Sequence, residues 1–149
     1  MTALFRKKLR VPASLPADEQ WSVATGENQG KPMLVRVNTT VKQYAGHPDM
    51  PIRLGLAIPF AAPREDGLPN ESESAQLSDI EDRLHRALGS SGRLVIILTT
   101  NGMREFVSYV GSREVAERVA QSLRTATSTH EVQFYAEADP KWELYLQFA

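Results

Sequence analysis

Strand and helix patterns alternate in the order β-α-β-β-α-β over the last two thirds of the chain. This predicts an α+β fold, a ferredoxin-like βαββαβ sandwich with an additional N-terminal β-hairpin and a short C-terminal extension. Three observations carry the prediction. A half-buried strand pattern at 52–58 precedes an apolar stripe of helical spacing, the pair Asn101-Gly102 joins two strand patterns, and a second helical stripe leads into a last alternating segment. Sandwiches of this kind host many unrelated functions, so function has to be argued from a site.

The elements follow in order. Residues 1–20 read as a basic, flexible tail, with Arg6, Lys7, Lys8 and Arg10 running into Pro12 and Pro16, and residues 21–149 as one α+β domain. The tail lacks the apolar segment and cleavage site of a secretory leader. Alternation at Trp21 to Thr25 and at Pro32 to Asn38 predicts two strands joined through the turn-rich Gly26 to Gly30. Ile52, Leu54, Leu56 and Ile58 share one face of a third strand. Phe60 to Ser74, with Pro63, Gly67 and Pro69, reads as a long surface loop, mobile or functional.

Ser78 with Glu81 has the form of a capping box, and Ile80, Leu84, Ala87 and Leu88 form the apolar stripe of the first helix, ended by Gly89. Arg93 to Thr100 is apolar on both sides, Leu94, Ile96 and Leu98 facing one way and Val95 and Ile97 the other. Such a strand is normally interior, yet in the simplest ferredoxin-like sheet it lies at an edge, so the N-terminal hairpin, the C-terminal segment or a second copy of the chain should cover it. Asn101-Gly102 predicts a two-residue type I′ turn into Met103 to Val110. Ser112 is placed to cap a second helix that turns Val115, Ala116, Val119 and Leu123 inward. Val132, Phe134 and Ala136 alternate in a last strand, and Asp139-Pro140 opens a short helical turn holding Trp142 and Tyr145.

Composition narrows the function classes. A formal net charge of -1, with 42% hydrophobic and 23% charged residues, gives no overall attraction to phosphate backbones, so nucleic acid is disfavoured as a partner. The absence of cysteine removes disulfides, thiolate metal sites and cysteine nucleophiles together. No window has the roughly 20 apolar residues of a membrane span, so no membrane association is expected and the cytoplasm is the expected compartment.

His47, His85 and His130 lack the spacing of a zinc site, and the Gly89-Ser90-Ser91-Gly92 turn lacks the lysine of a phosphate loop. No metal, cofactor or catalytic residue is assigned. Phe106-Val107-Ser108-Tyr109 matches half of an RNA-binding strand motif, but Met103, Arg104 and Glu105 break the other half. The remaining candidate is a polar and aromatic set, Trp21, Arg36, Arg104, Glu105, Trp142 and Tyr145. In one reading the aromatics close the open side of the sheet, and Arg104 pairs with Asp139 or Glu143 near the chain end. In the other, Arg36 or Arg104 grips an anion between aromatic walls.

Several motifs sit in a recognisable order: Trp21, Gly30-Lys31-Pro32 leading into Leu34-Val35-Arg36, Gly67-Leu68-Pro69, Ile80-Glu81-Asp82, Thr99 to Phe106, and Asp139 to Tyr145. With these the chain resembles the bacterial family catalogued as domain of unknown function 695, from Trp21 onward. The resemblance implies no activity, cofactor or catalytic residue. A more distant likeness is to bacterial regulators that bind and inhibit ribonuclease E, which also use a small α+β domain with a Trp and a Tyr near its end. The expectation is a non-enzymatic regulatory or protein-binding module, with a protein partner or a homodimer. The alternative is a binder of a small anionic ligand, or an unrecognised enzyme, using the arginine and aromatic set.

Overall fold

The computed structural model describes residues 19–149, and the expected basic tail falls almost wholly outside them. Six strands form one sheet: β1 (Trp21–Asn28), β2 (Lys31–Asn38), β3 (Ile52–Pro59), β4 (Gly92–Thr100), β5 (Met103–Val110) and β6 (Gln133–Ala138). Their spatial order is β1-β2-β4-β5-β3-β6, and every neighbouring pair is antiparallel. The helices are α1 (Glu71–Leu88), α2 (Arg113–Ala126) and the short α3 (Glu143–Phe148), with a 3-10 turn at Lys42–Tyr44.

The apolar β4 is interior, as its composition requires, because β2 of the N-terminal hairpin pairs along it from Met33 opposite Thr100 to Val37 opposite Ile96. Of the three covers expected for this strand, the hairpin is the one the chain supplies. Both hairpin turns hold two residues with positive φ, Gln29 and Gly30 in the first and Asn101 and Gly102 in the second. The first strand therefore runs on to Asn28, past the Thr25 at which its alternation ends.

The helix α1 begins at Glu71, seven residues before the Ser78 cap expected from the sequence. Asn70 is the cap: its side chain accepts from the Glu73 backbone N–H at 2.8 Å, and Glu71 and Glu73 place negative charge in the first turn. The 60–70 loop is correspondingly shorter and tied down. The Gly102 N–H donates to the Gly67 carbonyl, and the buried Glu73 carboxylate accepts from the Ala61 and Ala62 N–H groups at 2.6 and 3.3 Å. His130, from the α2-β6 loop, meets the same carboxylate at 2.7 Å. The cap of α2 is Ser112, as the sequence indicates, its hydroxyl accepting from the Val115 N–H.

Apolar side chains fill both faces of the sheet. One cluster lies under the two long helices and joins Leu54, Leu56 and Ile58 to Ile80, Leu84, Val119 and Leu123. A second lies on the opposite face, where Val35, Val37, Val107 and Tyr109 are covered by Val41, Met50, Trp142 and Tyr145. Strict alternation along β4 fails. A bulge between Leu94 and Ile96 leaves Val95 as the extra residue, so Leu94 and Ile97 face the helices while Val95 and Ile96 join the second cluster. Leu94 and Ile96 are therefore not in one core.

Candidate functional site

Side chains alternate across a strand, so the burial of Phe106 under the helices and of Val107 on the opposite face assigns their neighbours. Arg104 belongs to the helix face and Glu105 to the other. The six candidate residues are thus divided by the sheet.

On the helix face, Arg36 of β2 reaches Glu81 of α1 with both guanidinium ends, Nη1 to Oε1 at 3.0 Å and Nη2 to Oε2 at 3.3 Å. The same guanidinium lies 5.2 Å above the Trp21 ring, and the Trp21 indole N–H donates to Glu19 at 3.0 Å. Two strands away, Arg104 is half-buried and donates its Nε–H to the Thr99 hydroxyl across the β4-β5 pair at 2.8 Å. Its terminal nitrogens meet no carboxylate among the described residues. Burial disfavours the charged Arg104 and nearby Arg36 adds repulsion, which together outweigh the attraction of Glu81 and lower its pKa from the usual arginine value. Of the two neighbouring cations, Glu81 therefore pairs with Arg36 and leaves Arg104 without a carboxylate partner among the described residues.

This corrects the expected pairing of Arg104 with the chain end. Asp139 is indeed the partner of an arginine, but of Arg53. The Arg53 Nη1 donates to Asp139 Oδ2 at 3.0 Å, and the Tyr109 hydroxyl donates to the same oxygen at 2.7 Å. The cap residue of α3 is Trp142, in a left-handed conformation, and not Asp139 as the sequence suggests; Asp139, three residues earlier, still accepts from the first-turn Glu143 N–H at 2.8 Å and the Leu144 N–H at 3.2 Å. Burial alone would raise its pKa, but these donors, Tyr109 foremost, hold it below the usual carboxylate range.

Trp142 and Tyr145 come together on this second face and are fully buried. Trp142 stacks on Tyr109 with ring centroids 4.3 Å apart, Tyr145 meets Trp142 edge-on at 5.7 Å, and the Trp142 indole donates to the Met50 carbonyl at 2.8 Å. The Tyr145 hydroxyl donates to the Asn38 carbonyl at 2.6 Å, fastening the chain end to the far end of β2. Burial pushes the Tyr145 hydroxyl up to about 12. These aromatics close the fold. Phe106 and Tyr109, the aromatic pair of the half-matched RNA-binding motif, are likewise fully buried.

Glu105 stands apart from both groups. It accepts from the Tyr135 hydroxyl at 2.7 Å, and the Tyr135 ring reaches it by lying across Gly55 of the intervening strand β3. A Cβ at Gly55 would fall 2.1 Å from that ring, so glycine is what allows the crossing. Sequence reasoning missed Tyr135, Arg53 and Gly55. The Tyr-Gly-Glu crossing is visible only in register, whereas an arginine facing the side of β3 opposite its aliphatic residues is a signal that could have been followed.

No group of three or more metal-ligating side chains is placed together among the described residues, and no helix among them is long and apolar enough to cross a membrane. His85 lies 3.9 Å from Glu81, one helical turn earlier on α1. No curated protein and no solved structure matches the chain. The model of a family of unknown function, DUF695, matches residues 19–149, the same residues that the structure describes, and the chain belongs to that family.

Proposed function

We propose that the protein is a non-enzymatic binding module that recognises a carboxylate presented by a protein partner, through Arg104 and Arg36 beside Trp21 on the helix-bearing face of the sheet. The observation that carries this reading is the imbalance of charge at half-buried positions, with Glu81 committed to Arg36 and Arg104 held by a neutral hydroxyl alone. Exposure next to the pair supports a macromolecular contact over an enclosed small ligand. The Arg36 side chain is 38% exposed, and Val23, its cross-strand neighbour on β1, is 68% exposed. A partner carboxylate at this place would meet unpaired N–H donors and lose little hydration that is not replaced.

The order β4-β5-β3-β6 with the two long helices on one face supports reading these four strands, at one side of the sheet, as a ferredoxin-like unit extended by the β1-β2 hairpin, all in one domain over 21–149. The cytoplasm remains the compartment proposed.

A photo-activatable residue at Val23 tests the proposal in cells. The expected result is a discrete cross-linked protein that disappears when Arg104→Glu is added, with the melting temperature of the carrier unchanged within a few degrees. Failure to trap any discrete product, or a product indifferent to Arg104→Glu, would overturn it.

A further inference from the structure

A second arginine is more deeply confined. Arg93, at the start of β4, is only 7% exposed. Its Nη1 donates to the Gly89 and Gly92 carbonyls, each at 3.1 Å, while Nε and Nη2 are buried and have no partner among the described residues. A native structure seldom leaves buried donors of a permanent charge unmet, so the missing acceptors call for an explanation. The unmet donors also have a particular shape. On a guanidinium the Nε and Nη2 hydrogens point the same way and form the edge that takes two oxygens of one carboxylate or phosphate side by side.

A cavity of about 70 Å³ lies against this residue, between the end of α1 and the segment entering β1, and Glu19, His85, Gly89 and Gly92 line it with Arg93. That volume admits one small oxyanion or a pair of waters. The Glu19 carboxylate attracts Arg93 without bonding to it, and one of its oxygens accepts from the Trp21 indole. Glu19 therefore lowers the field of the cation without filling its donors.

We infer that the Arg93 cavity is a binding site for one small oxyanion, a carboxylate or phosphate group, held bidentately by Nε and Nη2. The Gly89 and Gly92 carbonyls fix the guanidinium from the opposite edge, so the fork is oriented before the anion arrives. Glu19, on the cavity wall, opposes the anion by like charge and limits affinity.

The test follows the Nε–H resonance of Arg93 by NMR while phosphate, sulfate or acetate is added to protein prepared without them, together with crystals soaked in selenate. Binding predicts a saturable shift of that resonance, with selenate density on Nε and Nη2; the phosphate and acetate arms tell which oxyanion class is preferred. Glu19→Gln keeps an oxygen for the Trp21 indole and should tighten binding several-fold, while Arg93→Lys, which cannot form the fork, should weaken it at least tenfold. Water alone in the cavity, Glu19 turned onto the guanidinium, a shift that does not saturate, or a folded Arg93→Lys that binds as well as wild type would each overturn the assignment. Should Arg93→Lys not fold, the wild-type titration and the Glu19→Gln comparison decide it.

Discussion

The hydroxyl of Tyr109 donates to Asp139 at 2.7 Å from a strand thirty residues earlier, and the Trp142 ring stacks on the ring of the same tyrosine. The pair joins the middle of the sheet to the chain end. Burial and the bond to Asp139 raise the Tyr109 hydroxyl well above its ordinary value, so Tyr109 stays the donor and Asp139 the charged acceptor throughout the neutral range.

Asp139→Asn should be among the most destabilising single changes in this chain. It takes the charge from a group that faces Arg53, Tyr109 and the first turn of α3, and breaking a buried pair of this kind costs about 3 kcal/mol or more. Urea unfolding with an unchanged slope would measure it. Arg53→Met should cost less, since Tyr109 and the α3 amides remain as donors.

Stability should fall as acid is added, from two known places. Asp139 and Glu73 both titrate below the usual carboxylate range in the folded state, although burial alone would raise each; Tyr109 for the first and His130 for the second lead the hydrogen bonds that lower them. A depressed carboxylate binds fewer protons folded than unfolded, so its contribution is present in full above the unfolded value near 4 and disappears as pH falls through the folded one. Melting temperature against pH should be flat down to about pH 5 and drop below it. Glu73→Gln should make that drop shallower; an unaltered acid limb in this variant would remove Glu73 from the account.

Gly55→Ala should cost about 1–3 kcal/mol, because the new methyl group occupies the place of the Tyr135 ring and must displace it from Glu105. The cost should shrink in a Tyr135→Ala background, where nothing crosses the glycine. A double-mutant cycle reads this coupling, and additive costs would show the contact to be energetically idle.

Much of the scaffold was legible because its signals are local. Ser112 and the Asn101-Gly102 turn act within a few residues of themselves, and an apolar β4 states its need for neighbours in its own composition. The start of α1 was misplaced because Ser78 and Asn70 both offer a capping side chain, and what favours Asn70 is tertiary: Glu73 finds the Ala61 and Ala62 amides and His130 only when three segments meet. The bulge at Val95 has no sequence mark, since it is a property of the β4-β5 register, and it moves Ile96 out of the core that alternation assigned to it. The candidate set mixed two chemistries for the same reason. Trp142 and Tyr145 were readable as aromatics that close a sheet, but which face each arginine takes depends on strand order, and that order gave Asp139 to Arg53 and left Arg104 beside Thr99.

Arg36 and Arg104 should respond oppositely to loss of charge. Arg36→Met removes a two-pronged pair with Glu81 and the cation over Trp21, and should lower stability by about 1–2 kcal/mol, a charge-assisted bond being worth more than a neutral one.

The most direct measurement is equilibrium unfolding of Arg104→Met beside wild type. Here Met retains the apolar stem, and the loss is one hydrogen bond to Thr99, set against relief of burial and of repulsion from Arg36. A cation kept for a partner predicts a variant as stable as wild type within about 0.5 kcal/mol, or more stable, that no longer captures the protein trapped through Val23. A loss of 2 kcal/mol or more with capture intact would contradict it and make Arg104 a structural residue.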